Sequence, residues 1–374
     1  MNRKWKWTLS IVSLAIVAWV GYYAYGIYNA ANNFSKAPDK SRFGNFTPVK
    51  EQEPPKWEGK ERVNILLLGG DERGLRQNET PRSDSIMVAS LDPVTHKAHL
   101  FSILRDTYVD IPGYRDNRIN AALSLGGPEL SMKTVSDYLG IPIQYYVYTD
   151  FQGFIALIDS IGGIDFEVEK DMHYVDAADD HVYDIDLKKG MQHLDGKKAL
   201  QYVRFRHDAL SDFTRTERQR NFMKAVADKL QSTTSLLKLP AILNSVSPYI
   251  ETNLSVTDML KLASLGYESK ASGVKTVQIP PKELIYSDRV GGASVLRADE
   301  EKLRVYVQEL FQAADAPAGD GTTGGDSGSS GDSGNAGQSG NSGESASSGE
   351  SDASADSAGN ADVQETAADE SLTE

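Results

Sequence analysis

Between Trp7 and Ser35 the chain carries no charged side chain, and Ile11–Val20 is almost purely apolar. About 20 helical residues cross the hydrocarbon core of a bilayer, so this stretch is long enough to span one. Arg3, Lys4 and Lys6 precede it, and Trp5, Trp7, Trp19, Tyr22, Tyr23, Tyr25 and Tyr28 flank it as interfacial aromatic anchors would. The pattern predicts one transmembrane helix over residues 7–30. By the positive-inside rule, residues 1–6 form a cytoplasmic stub and everything beyond about Asn33 is extracytoplasmic. A cleaved signal peptide competes, with Ala24-Tyr25-Gly26 or Ala30-Ala31-Asn32 as its cleavage site, but the apolar length favours the uncleaved anchor.

Residues 31–61 are polar and contain Pro38, Pro48, Pro54 and Pro55, the composition of an extracytoplasmic stalk. The folded domain is expected over 62–314. From Asp315 to Glu374 the chain is built of Gly-Ser-Asp blocks with few apolar side chains, which predicts a disordered acidic tail. That tail holds 13 acidic residues and no Lys or Arg, so it accounts for nearly all of the net charge of -14. Neither part is a basic nucleic-acid-binding surface by bulk charge. The absence of cysteine excludes disulfides, thiol nucleophiles and zinc-thiolate sites.

Within the domain, Val63–Gly69 is a short apolar run stopped by Gly69-Gly70, a buried strand. Ser85–Leu91, Ala98–Leu104, Tyr145–Tyr148, Ile164–Val168 and Val274–Ile279 are further strand candidates. Helical spacing is present in Glu129–Leu139, Phe151–Ile161 (with Asp150 placed to cap it), Ser255–Ser269 and Asp299–Ala313. Thr214-Arg215-Thr216-Glu217 has the capping-box pattern and opens a helix to about Leu230. Strands mixed with helices predict an α/β or α+β layered domain.

Polar residues gather at the strand ends. Asp71 follows the first strand, Asp84 precedes the body of the second and Arg105 ends the third, so the three could converge on one edge. For each taken alone, ordinary loop polarity is the better account. A denser cluster runs through Arg204, Arg206, His207, Asp212, Arg215, Arg218, Gln219 and Arg220. In an extended segment Arg204 and Arg206 would point the same way. On the following helix, positions 215, 218, 219 and 222 would share a face. Guanidinium groups at a helix N-terminus suit phosphate, and repelling like charges would otherwise need counter-charges such as Asp208 and Asp212. The carboxylates at the other site, the strand ends, suit Mg²⁺, a hard ion that takes oxygen ligands from one or two Asp plus substrate phosphates. The six histidines lack zinc spacing, and no P-loop, GxSxG or GxGxxG is present.

Taken in order, these segments resemble the LytR–CpsA–Psr family. The matching stretches are Asn64–Asp71, Arg82–Met87, Ser102–Thr107, Arg118–Ala122, Asp150–Phe154, Ile161–Ile164, Leu194–Gly196, Ala199–Arg206 and the set Asp212, Arg215, Arg218 and Gln219. The resemblance implies a three-layer α/β/α domain with a mixed central sheet and a hydrophobic pocket for a polyprenyl chain. It implies a phosphotransferase that moves a glycopolymer (teichoic acid, capsular or other anionic polysaccharide) from a polyprenyl-pyrophosphate carrier to peptidoglycan. Asp71 and Asp84 would hold Mg²⁺ (or Mn²⁺). Arg82, Arg105, Arg118, Arg204, Arg206, Arg215, Arg218 and Gln219 would bind or surround the pyrophosphate, with Asp71, Asp84, Arg105, Arg204 and Arg206 as the catalytic set. Asp212 would orient the arginines. Arg220 departs from the family pattern, which often has a second Gln there. Two alternatives share these residues: a polyprenyl-pyrophosphate pyrophosphatase, with water as acceptor, and a non-catalytic wall-associated regulatory protein.

Overall fold

The computed structural model describes residues 3–34, 41–46, 54–73, 75, 79–175, 181–206 and 211–315. The expected tail, from its second residue onward, and His207 and Asp208 lie outside the described residues.

Six strands make the central sheet: β1 (Val63–Gly70), β2 (Ser83–Leu91), β3 (Ala98–Ile103), β4 (Tyr145–Thr149), β5 (Ile250–Thr252) and β6 (Val274–Ile279). Their order is β5-β4-β1-β2-β3-β6. The β1–β4 and β3–β6 pairs are parallel, and β1–β2, β2–β3 and β4–β5 are antiparallel, so the sheet is mixed. Alternation along each strand sends side chains to opposite faces. Leu66, Leu68, Ile86, Val88, Phe101 and Ile103 face one way. They pack under α2 (Ala121–Leu139) and α9 (Glu300–Asp315) through Leu130, Val135, Leu139, Leu303 and Val307. Val63, Ile65, Leu67, Tyr145 and Val147 face the other way, under Trp57 and α8 (Val256–Glu268). Both faces are covered, giving a three-layer α/β/α domain.

A second core sits over that second face. It comprises α3 (Phe151–Ser160), α4 (Gly196–Arg204), α5 (Ser211–Leu230) and the antiparallel pair Ile164–Val168 and Gly190–Leu194. Ile158, Ile164, Leu194, Leu200, Phe222 and Val226 fill it. Asp150 caps α3 by accepting from Gly153 N at 2.7 Å. Two short helices, α6 (Thr233–Leu237) and α7 (Leu239–Val246), follow, and α7 packs on α3.

Four local expectations differ from the structure. Arg204 is the last residue of a helix, not part of an extended run: Asp195 opens α4 by accepting from Lys198 N, and the backbone leaves helical angles only at Phe205. Helix α5 starts at Ser211, so Thr214 is inside it, and Thr216 Oγ1 donates back to Asp212 O rather than forming a capping box. The helix expected from Glu129 is the second part of α2, which kinks where Gly126 and Gly127 leave helical angles before Pro128. The stretch expected to be a stalk holds buried residues: Phe43 packs edge-on against Tyr148 at 5.0 Å, and Trp57 joins the core beneath the sheet.

Helix α1 (Arg3–Asn32) contains the window Trp7–Ala30, which is long and apolar enough to cross a membrane by length and composition. Along its last turns Tyr23, Gly26 and Ile27 are partly covered and Ala30 is buried, the i, i+3, i+4, i+7 spacing of one helical face.

Candidate functional site

Strand register builds a cavity of about 440 Å³ between the second sheet face and the helices α3, α4 and α5. Leu67 of β1 lies between Met87 of β2 and Val147 of β4, and all three line it. One step toward the strand ends, Gly69 lies between Ser85 and Thr149. A Cβ at Gly69 would come 3.1 Å from Ser85 Cβ, so glycine keeps this row low. The opposite wall is Phe154 and Leu157 of α3, Leu200 and Val203 of α4, and Met223 of α5. Rows are therefore apolar inside and small near the mouth.

Charge begins one residue further out. Asp71 follows β1 and Asp84 sits at the adjacent start of β2. Five arginines and three aspartates line the cavity: Arg73, Arg105, Arg204, Arg206 and Arg215, with Asp71, Asp84 and Asp150. The balance is positive before any ligand enters. Asp84 is bonded to Arg105 Nη1 and stands 3.7 Å from Arg206 Nη2. Asp71 is chelated by Arg73, with Nη2 at 2.7 Å and Nε at 2.9 Å. Arg204 donates to Tyr183 O at 3.1 Å, and both Arg73 and Arg204 lie over the rings of Phe151 and Tyr183.

Arg215 is the most confined of these groups, at 1% relative exposure. Asp212 contacts its Nη2, and the same carboxylate stands 3.9 Å from Arg105 Nε. Burial pulls the Arg215 guanidinium down to about 10; Asp212 opposes this, while Arg206 and Arg105 add to it. Burial, then the charge of Arg105, also holds Arg206 below its ordinary value. For Arg105 burial acts downward too, but Asp84, Asp106 and Asp212 outweigh it and the net direction is up. An anion placed among these groups would relieve the repulsion that Arg206 and Arg215 now bear.

The other expected site residues are elsewhere. Arg82 is exposed and outside the cavity wall, and Arg118 bonds Asp106 at 2.8 Å. Arg218 turns into the second core, bonding Glu169 at 2.6 Å and Phe205 O at 2.9 Å. The reason is helical phase: residues 215, 219 and 223 face the cavity at intervals of four, while 218 and 222 face the core beside them. Gln219 lines the cavity, accepting from Ser85 Oγ at 3.2 Å and donating to Val203 O at 3.3 Å. Arg220 reaches Ser102 Oγ on β3 at 2.5 Å.

Sequence reasoning missed Arg73, and its signal was the spacing Asp71-Glu72-Arg73, in which Asp71 Oδ1 also accepts from Arg73 N at 3.1 Å. It also missed Arg42, which bonds Glu72 and stands 2.9 Å from Asp150 and 3.5 Å from Glu251. Asp71 and Asp84 present carboxylates at neighbouring strand ends, but Arg73 holds both oxygens of Asp71 and Arg105 holds one of Asp84, so a Mg²⁺ ion there would have to displace these arginines. Among the described residues no three His, Asp or Glu side chains are grouped to hold a metal by themselves.

The model of the LytR_cpsA_psr family matches residues 22–312. The regulatory protein MsrR of Staphylococcus aureus (strain COL) is 38% identical over 232 residues, covering 61% of this chain and 67% of MsrR. The polyisoprenyl-teichoic acid–peptidoglycan teichoic acid transferase TagU of Bacillus anthracis (strain CDC 684 / NRRL 3495) is 35% identical over 278 residues, 73% of this chain and 86% of TagU. Among solved structures, Bacillus subtilis YwtF (TagT) with bound octaprenyl pyrophosphate lipid superposes with a TM-score of 0.55 at 26% identity, covering 72% of this chain and 100% of that one. Sheet order, cavity and these matches agree: the chain belongs to the LytR–CpsA–Psr family.

Proposed function

We propose that this protein is a phosphotransferase that moves an anionic glycopolymer from a polyprenyl-pyrophosphate carrier to peptidoglycan. One observation carries the reading: a cavity walled by apolar side chains is also lined by five arginines against three aspartates. An isoprenoid chain suits the interior, and a pyrophosphate suits guanidinium groups, which pair with its oxygens two at a time. The name of TagU states this transfer for a relative, and the TagT complex contains a lipid of this class.

In this reading Arg105, Arg204, Arg206 and Arg215 neutralise the pyrophosphate oxygens, and Asp212 holds Arg215 in place. The acceptor sugar hydroxyl attacks the glycan-bearing phosphorus, the bridging P–O bond breaks, and polyprenyl phosphate leaves. The hydroxyl proton passes to a carboxylate at the mouth. Phosphoryl transfer needs charge stabilisation and alignment more than covalent chemistry from the protein, and arginines supply both. Asp71 and Asp84 would hold Mg²⁺ (or Mn²⁺), which would add Lewis-acid charge at those same oxygens. Helix α1 anchors the chain by a single pass, with the N-terminus cytoplasmic and the catalytic domain extracytoplasmic, following the basic residues before Trp7.

The test is full-length protein in liposomes with labelled lipid-linked glycan and peptidoglycan. Label should reach peptidoglycan, and Arg204→Ala should lower the rate by about 10²–10³, the scale of one lost charge-stabilising donor. Label appearing in soluble products alone sinks the transferase reading and leaves a pyrophosphatase.

A further inference from the structure

We propose that α6 and α7 form a second membrane contact, lying in the outer bilayer interface beside the anchor and directly behind the lipid cavity. Tyr23 Oη of α1 donates to Leu236 O of α6. A Cβ built at Gly26 would come 3.1 Å from Pro240 Cβ, so the missing side chain is what lets α1 and α7 approach. Both contacts fall inside the apolar window Trp7–Ala30. Tyr23 precedes the end of that window by seven residues, about 10 Å of helix. Tyr22, Tyr23, Tyr25 and Tyr28 occupy this level, and such aromatic rings sit at the headgroup boundary. Residues of α6 and α7 that touch this level share its depth.

Their surface matches that environment. Leu237 is 58% exposed and Leu236 is 37% exposed, with Lys238 exposed next to them. Leucines beside a lysine suit the acyl–headgroup boundary of an anionic bilayer. On its inner side α7 packs on α3, whose Phe154 and Leu157 line the cavity. The cavity wall is thereby one helix layer from the lipid surface, which shortens the path of a prenyl chain leaving the bilayer.

The inference rests on α1 spanning a bilayer, and the experiment separates the two. The chain contains no cysteine, so single-cysteine labels need no background removal. Full-length Val17→Cys, Leu237→Cys and Val94→Cys, each carrying an environment-sensitive fluorophore, are reconstituted in phosphatidylglycerol–phosphatidylcholine vesicles with doxyl-labelled lipids. Val17 lies in the span, and Val94 is 76% exposed on the β2–β3 turn. Val17 should be quenched most by deep doxyl, Leu237 by shallow doxyl, and Val94 by aqueous iodide alone. Quenching at Val17 with none at Leu237 overturns the second contact and keeps the anchor. Absence at Val17 overturns the anchor reading. A Leu237 label shielded from both iodide and doxyl is covered by a second copy of the chain, which also overturns the proposal.

Discussion

Removing Asp212 should loosen the empty protein and tighten its grip on pyrophosphate, two effects of opposite sign from one carboxylate. In the structure Asp212 faces Arg215, which is almost wholly buried, and stands 3.9 Å from Arg105. Asp212→Ala leaves the Arg215 guanidinium beside Arg206 and Arg105 without that counter-charge. Breaking one side of a buried pair costs about 3–5 kcal/mol, and the partial exposure of Asp212 places this case near 3. At about 2–4 °C per kcal/mol for a domain of this size, the melting temperature should fall by roughly 6–12 °C. A prenyl pyrophosphate restores negative charge at the same place, so its binding should tighten about tenfold, worth roughly 1.4 kcal/mol. Transfer should nonetheless slow, because the arginine is no longer held. The assay is thermal unfolding of full-length protein in detergent, with and without farnesyl pyrophosphate, alongside the transfer rate. A melting point within about 2 °C of the parent, or a ligand-induced shift smaller than the parent's, refutes the reasoning. The pH trend adds a check. Arg215 is depressed to about 10, so the cost of charging it is constant across neutral pH and is relieved only above pH 10.

Other substitutions test the remaining parts. Met223→Trp should fill the inner cavity and weaken octaprenyl pyrophosphate binding by about tenfold or more while leaving inorganic pyrophosphate binding unchanged, as read by calorimetry. Gly196→Ala would place a Cβ 2.4 Å from Ile155 O, so α4 must shift from α3; we expect a loss of about 1–3 kcal/mol in denaturant unfolding. Glu169 is raised by burial but held below its ordinary value by Arg218, so its stabilisation is present above the unfolded carboxylate pKa and lost as pH falls through the lower folded one. Glu169→Gln should therefore cost stability at pH 6 and lose less than the parent on acidification, measured by urea unfolding at both pH values. Arg218→Ala should lower stability yet leave the Kd for pyrophosphate within about threefold, whereas Arg215→Ala should raise that Kd at least tenfold.

Much of the fold was legible because its strands are short apolar runs ended by glycine or acidic turns. Val63–Gly69 and Val274–Ile279 read directly, and Asp150 marked its helix as a cap. The hairpin Ile285–Val290 and Ala293–Ala298 turns at Gly291-Gly292, both at positive φ, yet its strands are too polar for hydrophobic periodicity to announce them. The strand-end residues Asp71, Asp84 and Arg105 do line one cavity, as their places at strand ends suggested. Arg204 and Arg206 also reach it, though from a helix end, so the alternation argument was right about the destination and wrong about the route. Arg218 was misjudged because i+3 and i+4 neighbours both lie on the same helical face. Only packing decides that position 219 faces the sheet and 218 the core. Arg42 was invisible because its partners Glu72, Asp150 and Glu251 come from three separate segments that only the fold brings together.

Carboxylate pairing explains how four of the five arginines coexist without a ligand, while Arg204 is held by Tyr183 O and the rings of Phe151 and Tyr183. Asp84 answers Arg105 and Arg206, Asp71 answers Arg73, and Asp212 answers Arg215 and Arg105. These pairs position the guanidiniums before substrate arrives, so little reorganisation is left for the reaction step. The arrangement also sets selectivity. An uncharged lipid gains the apolar rows but leaves Arg206 and Arg215 with repulsion unrelieved, and free pyrophosphate gains the arginines but leaves Leu67, Met87 and Val147 against water. Only a molecule with both halves satisfies both walls, at a spacing fixed by one strand residue each for the apolar, small and charged rows. Inserting a residue after Leu67 would flip Gly69 and the following positions to the opposite sheet face. Such an insertion should abolish lipid pyrophosphate binding, whereas lengthening the loop at Val94, at the far end of the same strands, should leave binding intact.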